Sequence, residues 1–228
     1  MFFDSTYLLL VFIPTLILSL GAQFFVRSAY SKWSQVRNGA GASGVEIART
    51  IFSRTNVSPV QLEGTPGQLT DHFDPGSNIV RLSEGIATTP SVAAMAIVAH
   101  ELGHVQQHQQ HSPLIAMRQF LVPAVSLAPQ IGYAMIFAGL FLQITGLIWA
   151  GILLFGVMVV FMVLTLPVEI DASRRGLALL RESGLMTTSE DTNGSRQVLT
   201  AAALTYMAAA VSAVLQLLYF VSLAQRRR

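Results

Sequence analysis

Charge disappears from this chain in three stretches. Tyr7 to Val26 carries none, and 20 residues of helix reach about 30 Å, the hydrocarbon thickness of a bilayer. Gln119 to Leu166 holds 48 residues without a formal charge. That is too many for one span and enough for two with a tight turn, which Gln143-Ile144-Thr145-Gly146 would supply. Leu199 to Ala224 is Ala-rich and also uncharged. The pattern predicts four transmembrane helices, 7–26, 119–142, 147–166 and 199–224, with the middle pair forming a helical hairpin. Pro123 and Pro129 are expected to bend the second of these or delay its start. The flank before Tyr7 holds Asp4 and no Lys or Arg. That is the wrong charge for a cleaved leader, so the first run reads as an anchor.

Two polar segments remain, 27–118 and 167–198. With four spans both termini share one side of the membrane. Eight cations near the span ends (Arg27, Lys32, Arg37, Arg118, Arg174, Arg175, Arg181, Arg196) lie on the other side, against Arg226, Arg227 and Arg228 on the terminal side. That bias places 27–118 and 167–198 in the cytoplasm, and the closing arginines read as a membrane-surface anchor.

Segment 27–118 carries signals of a small fold of its own. Asn38 to Gly44 reads as a Gly/Ala/Ser linker. Ser43-Gly44-Val45-Glu46 has capping-box spacing, and helical periodicity follows, so a helix is predicted from Gly44 to Arg54, ended by Pro59. Gln68–Phe73 and Asn78–Leu82 flank Asp74-Pro75-Gly76-Ser77, predicting a β-hairpin closed by a type II turn. Pro90-Ser91 then opens a helix from Val92 to about Gln110.

Composition supports this division. Charged residues make up 11% and mean hydropathy is +0.55, whereas soluble domains carry roughly 25% charged residues. A membrane protein with a modest polar part is the fold class implied. There are no cysteines, which excludes disulfides and thiolate metal sites. Net charge is +2 and no basic run is long enough to suggest a nucleic-acid partner.

The soft-metal ligands left are His72, His100, His104, His108 and His111. His100-Glu101-Leu102-Gly103-His104 has the HExxH spacing. A helix turns residues i and i+4 onto one face, so His100 and His104 can hold one zinc ion through neutral imidazoles. Glu101 is rotated off that line and is the natural general base, taking a proton from water that zinc has acidified. The flanking residues are uncharged, which suits a dry site beneath a cleft.

A third ligand must come from elsewhere. The positions a metzincin would use for its glycine and third histidine hold Gln107 and Gln110. His108 lies a further turn along, and one straight helix cannot bring residues 100, 104 and 108 around one ion, since the outer two are about 12 Å apart along the axis. His108 and His111 therefore read as solvated or interfacial. Glu169, in Leu166-Pro167-Val168-Glu169-Ile170-Asp171, would complete a His₂Glu set. Pro167 suits the first turn of a new helix or a bend where the chain leaves the membrane. The competing reading of Glu169 is an interfacial acid paired with Arg174 or Arg175. Asp171 can accept from the outer ring nitrogen of His100 or His104, or serve only a helix dipole. His72 can polarise the scissile carbonyl or stabilise the tetrahedral intermediate; it reads equally as a turn histidine beside Asp71 and Asp74. The hairpin edge offers a place for an extended peptide to pair.

The strings "LTDHFDP", "IVRLSEGI", "VAHELGHVQQH", "SPLIAMRQFLVP", "LPVEIDASRRGLALL" and "VLTAAALTYMAAAVSAVLQLL" resemble the YugP-type membrane zinc metallopeptidases of bacteria over nearly the whole chain. The resemblance implies a small multi-spanning neutral zinc endopeptidase with one Zn²⁺ per chain. Its arrangement is similar to that of the HtpX- and Ste24-type gluzincins, with HExxH followed by a downstream Glu. The implied fold is a mainly α membrane protein whose cytoplasmic α+β subdomain is gluzincin-like. By position, His100 and His104 become ligands, Glu101 the acid/base and Glu169 the third ligand. One departure stands out: where HtpX-like enzymes place Asp four residues after the ligand Glu, this chain has Ser173.

Three functions compete. The first is a zinc endopeptidase at the cytoplasmic face of the bacterial inner membrane, cutting membrane or misfolded proteins. The second is an intramembrane protease, disfavoured because the apolar stretch Val92–Ala99 before His100 is too short to span. The third is a non-enzymatic zinc-binding adaptor or subunit of a larger complex, against which the intact Glu101 argues. Expected partners are a peptide or protein substrate, the lipid bilayer, and a membrane-protein partner or second copy of the chain.

Overall fold

A computed structural model describes residues 5–226; Asp4, Arg227 and Arg228 lie outside them. The protein is mainly helical, with, among the described residues, four helices long and apolar enough to cross a membrane and a small three-stranded sheet. The first long helix comprises α1 (Ser5–Tyr7), a π-helical stretch Leu8–Phe12, and α2 (Ile13–Ser34). The others are α6 (Pro113–Leu142), α7 (Thr145–Glu182) and α8 (Ser189–Gln225). Leu9, Ile17, Phe24, Phe120, Phe141 and Leu153 point outward from them. Apolar exposure of this extent suits lipid rather than water.

The chain divides into two compact units: 1–22, 116–167 and 205–228 in one, 23–115 and 168–204 in the other. In the first, Phe155 and Phe220 stack edge-on at 5.4 Å, and Tyr133 lies against both. Gln143, at φ 60°, turns the chain between α6 and α7. Pro123, Pro129 and Pro167 lie inside continuous helices. Pro123 and Pro129 do not delay α6, which begins at Pro113 and runs through both. Pro167 starts no new helix, because it lies inside α7. A proline removes one N–H and frees one carbonyl; nearby hydroxyls bond main-chain carbonyls, Ser126 that of Pro123 at 2.7 Å and Thr165 that of Phe161 at 2.8 Å. Such side chains help make proline tolerable within long apolar helices.

The second unit is built around α5 (Val92–Gln109). α3 (Gly44–Arg54) starts with a complete capping box, Ser43 and Glu46 bonding each other's amides, and ends four residues short of Pro59, the expected stop. β1 (Gln61–Thr65), β2 (His72–Asp74) and β3 (Ile79–Ser83) form a sheet in the order β1-β3-β2, with β1 parallel and β2 antiparallel to β3. A short α4 (Glu84–Thr88) leads into α5. The hairpin therefore exists, with a shorter first strand, but its turn is not type II. That turn needs Gly76 at positive φ; Asn78 takes the left-handed conformation instead, at φ 56°. Asp74 decides this by accepting from the amides of Gly76 and Ser77 and from the Ser77 hydroxyl. The segment read as a linker is pinned as well. Asn38 is buried and bonds the Ala42 carbonyl and amide and the Ser91 carbonyl.

Ile47, Ile51, Val80, Leu82, Met95, Val98, Leu102 and Leu179 are fully or almost fully buried in one cluster. α5 is thus clamped by α3, the sheet and the C-terminal part of α7. Its own start is fixed by Ser91, whose hydroxyl accepts from the Ala94 amide, and by Val92 N–H bonding the Val36 carbonyl.

Candidate metal centre

Two glycines set the geometry. A Cβ on Gly103 would overlap the carbonyl oxygen of Ala172, and one on Gly176 would come within 2.6 Å of the carbonyl oxygen of Ala99. The backbones of α5 and α7 therefore touch at two points about one helical turn apart. That contact carries Glu169 onto the line of His100 and His104.

Glu169 Oε2 lies 3.3 Å from Nε2 of His100 and 3.3 Å from Nε2 of His104. One ligand atom from each residue falls within 4.8 Å of the other two. The two rings stand edge to face, 4.8 Å apart at 82°. Glu169 is 2% exposed and His104 8%. Two imidazole nitrogens and one carboxylate oxygen, gathered and shielded from water, form a donor set suited to zinc. Burial alone would lower the pKa of His104, but its hydrogen bond with Glu169 and the charges of Glu101 and Glu169 outweigh that and raise it. The field at Nε2 favours positive charge, as a cation site requires.

The outer ring nitrogens are held. His100 Nδ1 is 3.1 Å from Ser173 Oγ. His104 Nδ1 is 3.0 Å from Gln107 Oε1, and the amide orientation of Gln107 is not arbitrary. Its Nε2 donates to the Val168 carbonyl at 2.9 Å and to Asp171 Oδ2 at 2.7 Å, both acceptors only. Its oxygen must then accept the Nδ1 proton, so that in a neutral His104 the lone pair lies on Nε2, where a metal ion would take it.

Two expectations change here. Asp171 does not bond either histidine directly; it reaches His104 through Gln107 and is itself paired with Arg175 Nε at 2.7 Å. Arg175 is thereby taken by Asp171, with a further bond to Gln110 at 2.6 Å, while Glu169 faces the imidazoles. Ser173, noted only as a departure from a family pattern, bonds the His100 ring. Gln107 and Ser173 were both readable as neighbours on the right helical face, Gln107 three residues after His104 and Ser173 four after Glu169.

Glu101 is 7% exposed and accepts the Phe73 amide proton on Oε2 at 2.9 Å. Nothing local in the sequence signalled that contact, since it depends on how β2 is laid against α5. It also means that the β2 edge is partly used, its Phe73 N–H being spent on Glu101. His72, next along β2, is exposed and does not join the three clustered side chains; its Nδ1 is 2.8 Å from the Thr70 carbonyl. His108 packs its ring 5.6 Å from Phe73, and His111 is exposed at φ 51°.

Comparison with known proteins adds an independent line. A family model described as "Putative neutral zinc metallopeptidase" matches residues 8–225. A curated protein of Bacillus subtilis (strain 168), "Putative membrane protease YugP", is 39% identical over 209 residues, covering 92% of each chain. No solved structure matches.

Proposed function

Because the chain belongs to the family described as "Putative neutral zinc metallopeptidase", we propose that this integral membrane protein is a zinc-dependent endopeptidase in which His100, His104 and Glu169 hold the ion and Glu101 is the general base. The observation that carries this reading is the convergence of His100 Nε2, His104 Nε2 and Glu169 Oε2 within bonding reach of one point. Zinc, when bound, supplies a Lewis acid that acidifies water and polarises a carbonyl.

The chain's own residues do the rest. Gln107 holds the His104 ring in the tautomer that leaves Nε2 available, and Ser173 orients the His100 ring. The Phe73 amide anchors Oε2 of Glu101, leaving Oε1 to take a proton from the attacking water and pass it to the departing amine. Leu102, Gly103 and Val105 are buried around the motif and keep bulk water out, which strengthens each of these interactions. An extended peptide would lie along the outer edge of β2 and find the Phe73 carbonyl there, its amide being occupied. His72 is assigned to the oxyanion side. With Nδ1 donating to the Thr70 carbonyl, its Nε2 donates only from the protonated ring. The substrate class is membrane or misfolded protein segments presented at the cytoplasmic face of the inner membrane.

The test is cleavage of a peptide library by purified, zinc-loaded protein, with zinc stoichiometry measured alongside. Glu101→Gln is expected to retain about one zinc and lose cleavage, and Glu169→Ala to lose both. Wild-type turnover by Glu101→Gln, or stoichiometric zinc in Glu169→Ala, would sink the assignment.

A further inference from the structure

Outside the metal centre, the second unit holds a cavity of about 430 Å³ between α2 and the start of α8, within the roughly 300–1,000 Å³ of small-ligand pockets. Its lining is ordered by polarity. Phe25, Ser28, Ala29 and Lys32 follow one face of α2 at helical spacing, and Arg196, Thr200, Ala201 and Leu204 one face of α8. The two cations, Lys32 and Arg196, sit at one end of these faces, and Phe25 and Leu204 about two turns along at the other. No carboxylate lines the cavity, and among the described residues neither Lys32 nor Arg196 forms an ion pair.

Gln197 adds a donor. The indole N–H of Trp33 can only donate, and it lies 2.7 Å from Gln197 Oε1. The amide oxygen is therefore committed to Trp33, leaving the Gln197 NH₂ in the cavity lining. Two cations and an amide donor above an apolar floor match one ligand chemistry, a phosphate ester carrying hydrocarbon. The position agrees: both helices are long and apolar enough to cross a membrane, and the cations flank the uncharged runs while Phe25 and Leu204 lie within them.

We propose that this cavity binds the headgroup and first acyl carbons of an anionic phospholipid, with Lys32, Arg196 and Gln197 on the phosphate. The site does not depend on the peptidase reading. It does touch the same scaffold, since Trp33 packs with Val92, Ala93 and Ala96 of α5.

Native mass spectrometry of the full-length protein, released from detergent with phosphatidylglycerol or phosphatidylcholine, tests it without any activity readout. Phosphatidylglycerol is expected to be retained and phosphatidylcholine not. The Lys32→Gln/Arg196→Gln double variant is expected to weaken phosphatidylglycerol binding about thirtyfold, at about fivefold per basic residue near a membrane surface. An Arg49→Gln/Arg181→Gln variant makes the same charge change away from the cavity and is expected to bind as wild type. Thr200→Trp, which fills the middle of the cavity with both cations intact, is expected to lose binding too. Equal retention of the two lipids, equal weakening by both double variants, or wild-type binding by Thr200→Trp would overturn the proposal. Displacement by soluble glycerol phosphate at the lipid's own concentration would overturn it in favour of a free-phosphate site.

Discussion

The contact between α5 and α7 makes Gly176 the most informative single position in the molecule. A Cβ there would sit 2.6 Å from the Ala99 carbonyl oxygen and 3.0 Å from the His100 amide nitrogen, whereas ordinary contact begins at 3.4 Å. The neighbours are backbone, so no side chain can swing aside; α7 must retreat by about 0.8 Å. Metal–ligand distances tolerate about 0.2 Å. The same retreat would stretch the 3.1 Å contact between Ser173 and His100 to about 3.9 Å, beyond a hydrogen bond. Gly176→Ala is therefore expected to weaken zinc binding by at least the roughly 10–100-fold that follows loss of an orienting hydrogen bond. Stability should fall by at most about 2 kcal/mol. Overpacking costs about 1–3 kcal/mol, and the better helix propensity of alanine returns nearly 1 kcal/mol. Gly103→Ala, whose Cβ would collide more severely with Ala172, should be worse. Gly85→Ala, with only the Tyr30 hydroxyl at 3.7 Å, should be neutral. Competition with a chelator, read beside thermal unfolding in detergent, measures both quantities. Wild-type zinc affinity in a folded Gly176→Ala protein would refute the idea that this backbone contact positions Glu169.

Three further outcomes follow from other contacts. Gln107→Leu strips the acceptor from His104 Nδ1 and the donor from Asp171; zinc affinity should drop about 10–100-fold, with Ser173→Ala at the low end because His100 is the more exposed ring. Wild-type chelator resistance in Gln107→Leu would count against ring orientation by Gln107. Asp191, fully buried, accepts the amides of Gly39, Thr187 and Thr188 at 2.9–3.0 Å, so Asp191→Ala should cost about 3 kcal/mol in unfolding; a loss below about 1 kcal/mol would show those amides satisfied otherwise. The Asp74 carboxyl is held well below the usual carboxylate range by Ser77, Arg81 and the Gly76 amide. A depressed folded pKa means that its stabilisation is present above the unfolded value of about 3.9 and is lost as pH falls through the folded value. The stability gap between wild type and Asp74→Asn should therefore be constant above about pH 5 and close on further acidification; a gap unchanged at pH 2 would contradict the linkage.

How much of this was legible beforehand depends on the range of the signal. Local signals were readable. Ser43 and Glu46, three residues apart, mark the start of α3, and the four-residue spacing of the two histidines in HExxH puts both imidazoles on one face of α5. β1 was not readable, because Gln61-Leu62-Glu63-Gly64-Thr65 shows no strand-like alternation and is held by pairing with β3 and by Glu63 on Arg81 at 3.2 Å. The Gly76 turn failed for the opposite reason: a strong dipeptide signal lost to the Asp74 carboxylate, which organises the loop from one residue earlier.

The misplaced role of Asp171 has a chemical cause rather than a geometric one. On α7, Glu169, Ala172, Ser173 and Gly176 fall at i, i+3, i+4 and i+7, the spacing of a single face. On α5, His100, Gly103, His104 and Gln107 do the same, with Ala99 one turn before Gly103. Each face alternates small residues that let the backbones touch with polar ones that meet across the contact. A search for a carboxylate beside each histidine picks Asp171, which is off that face. A search for whatever donor or acceptor the face presents picks Ser173 and Gln107. The glycines at 103 and 176 belong to the same pattern, so the distance between the helices and the chemistry between them are specified by one periodicity, and a substitution at either glycine should be felt first at the histidines.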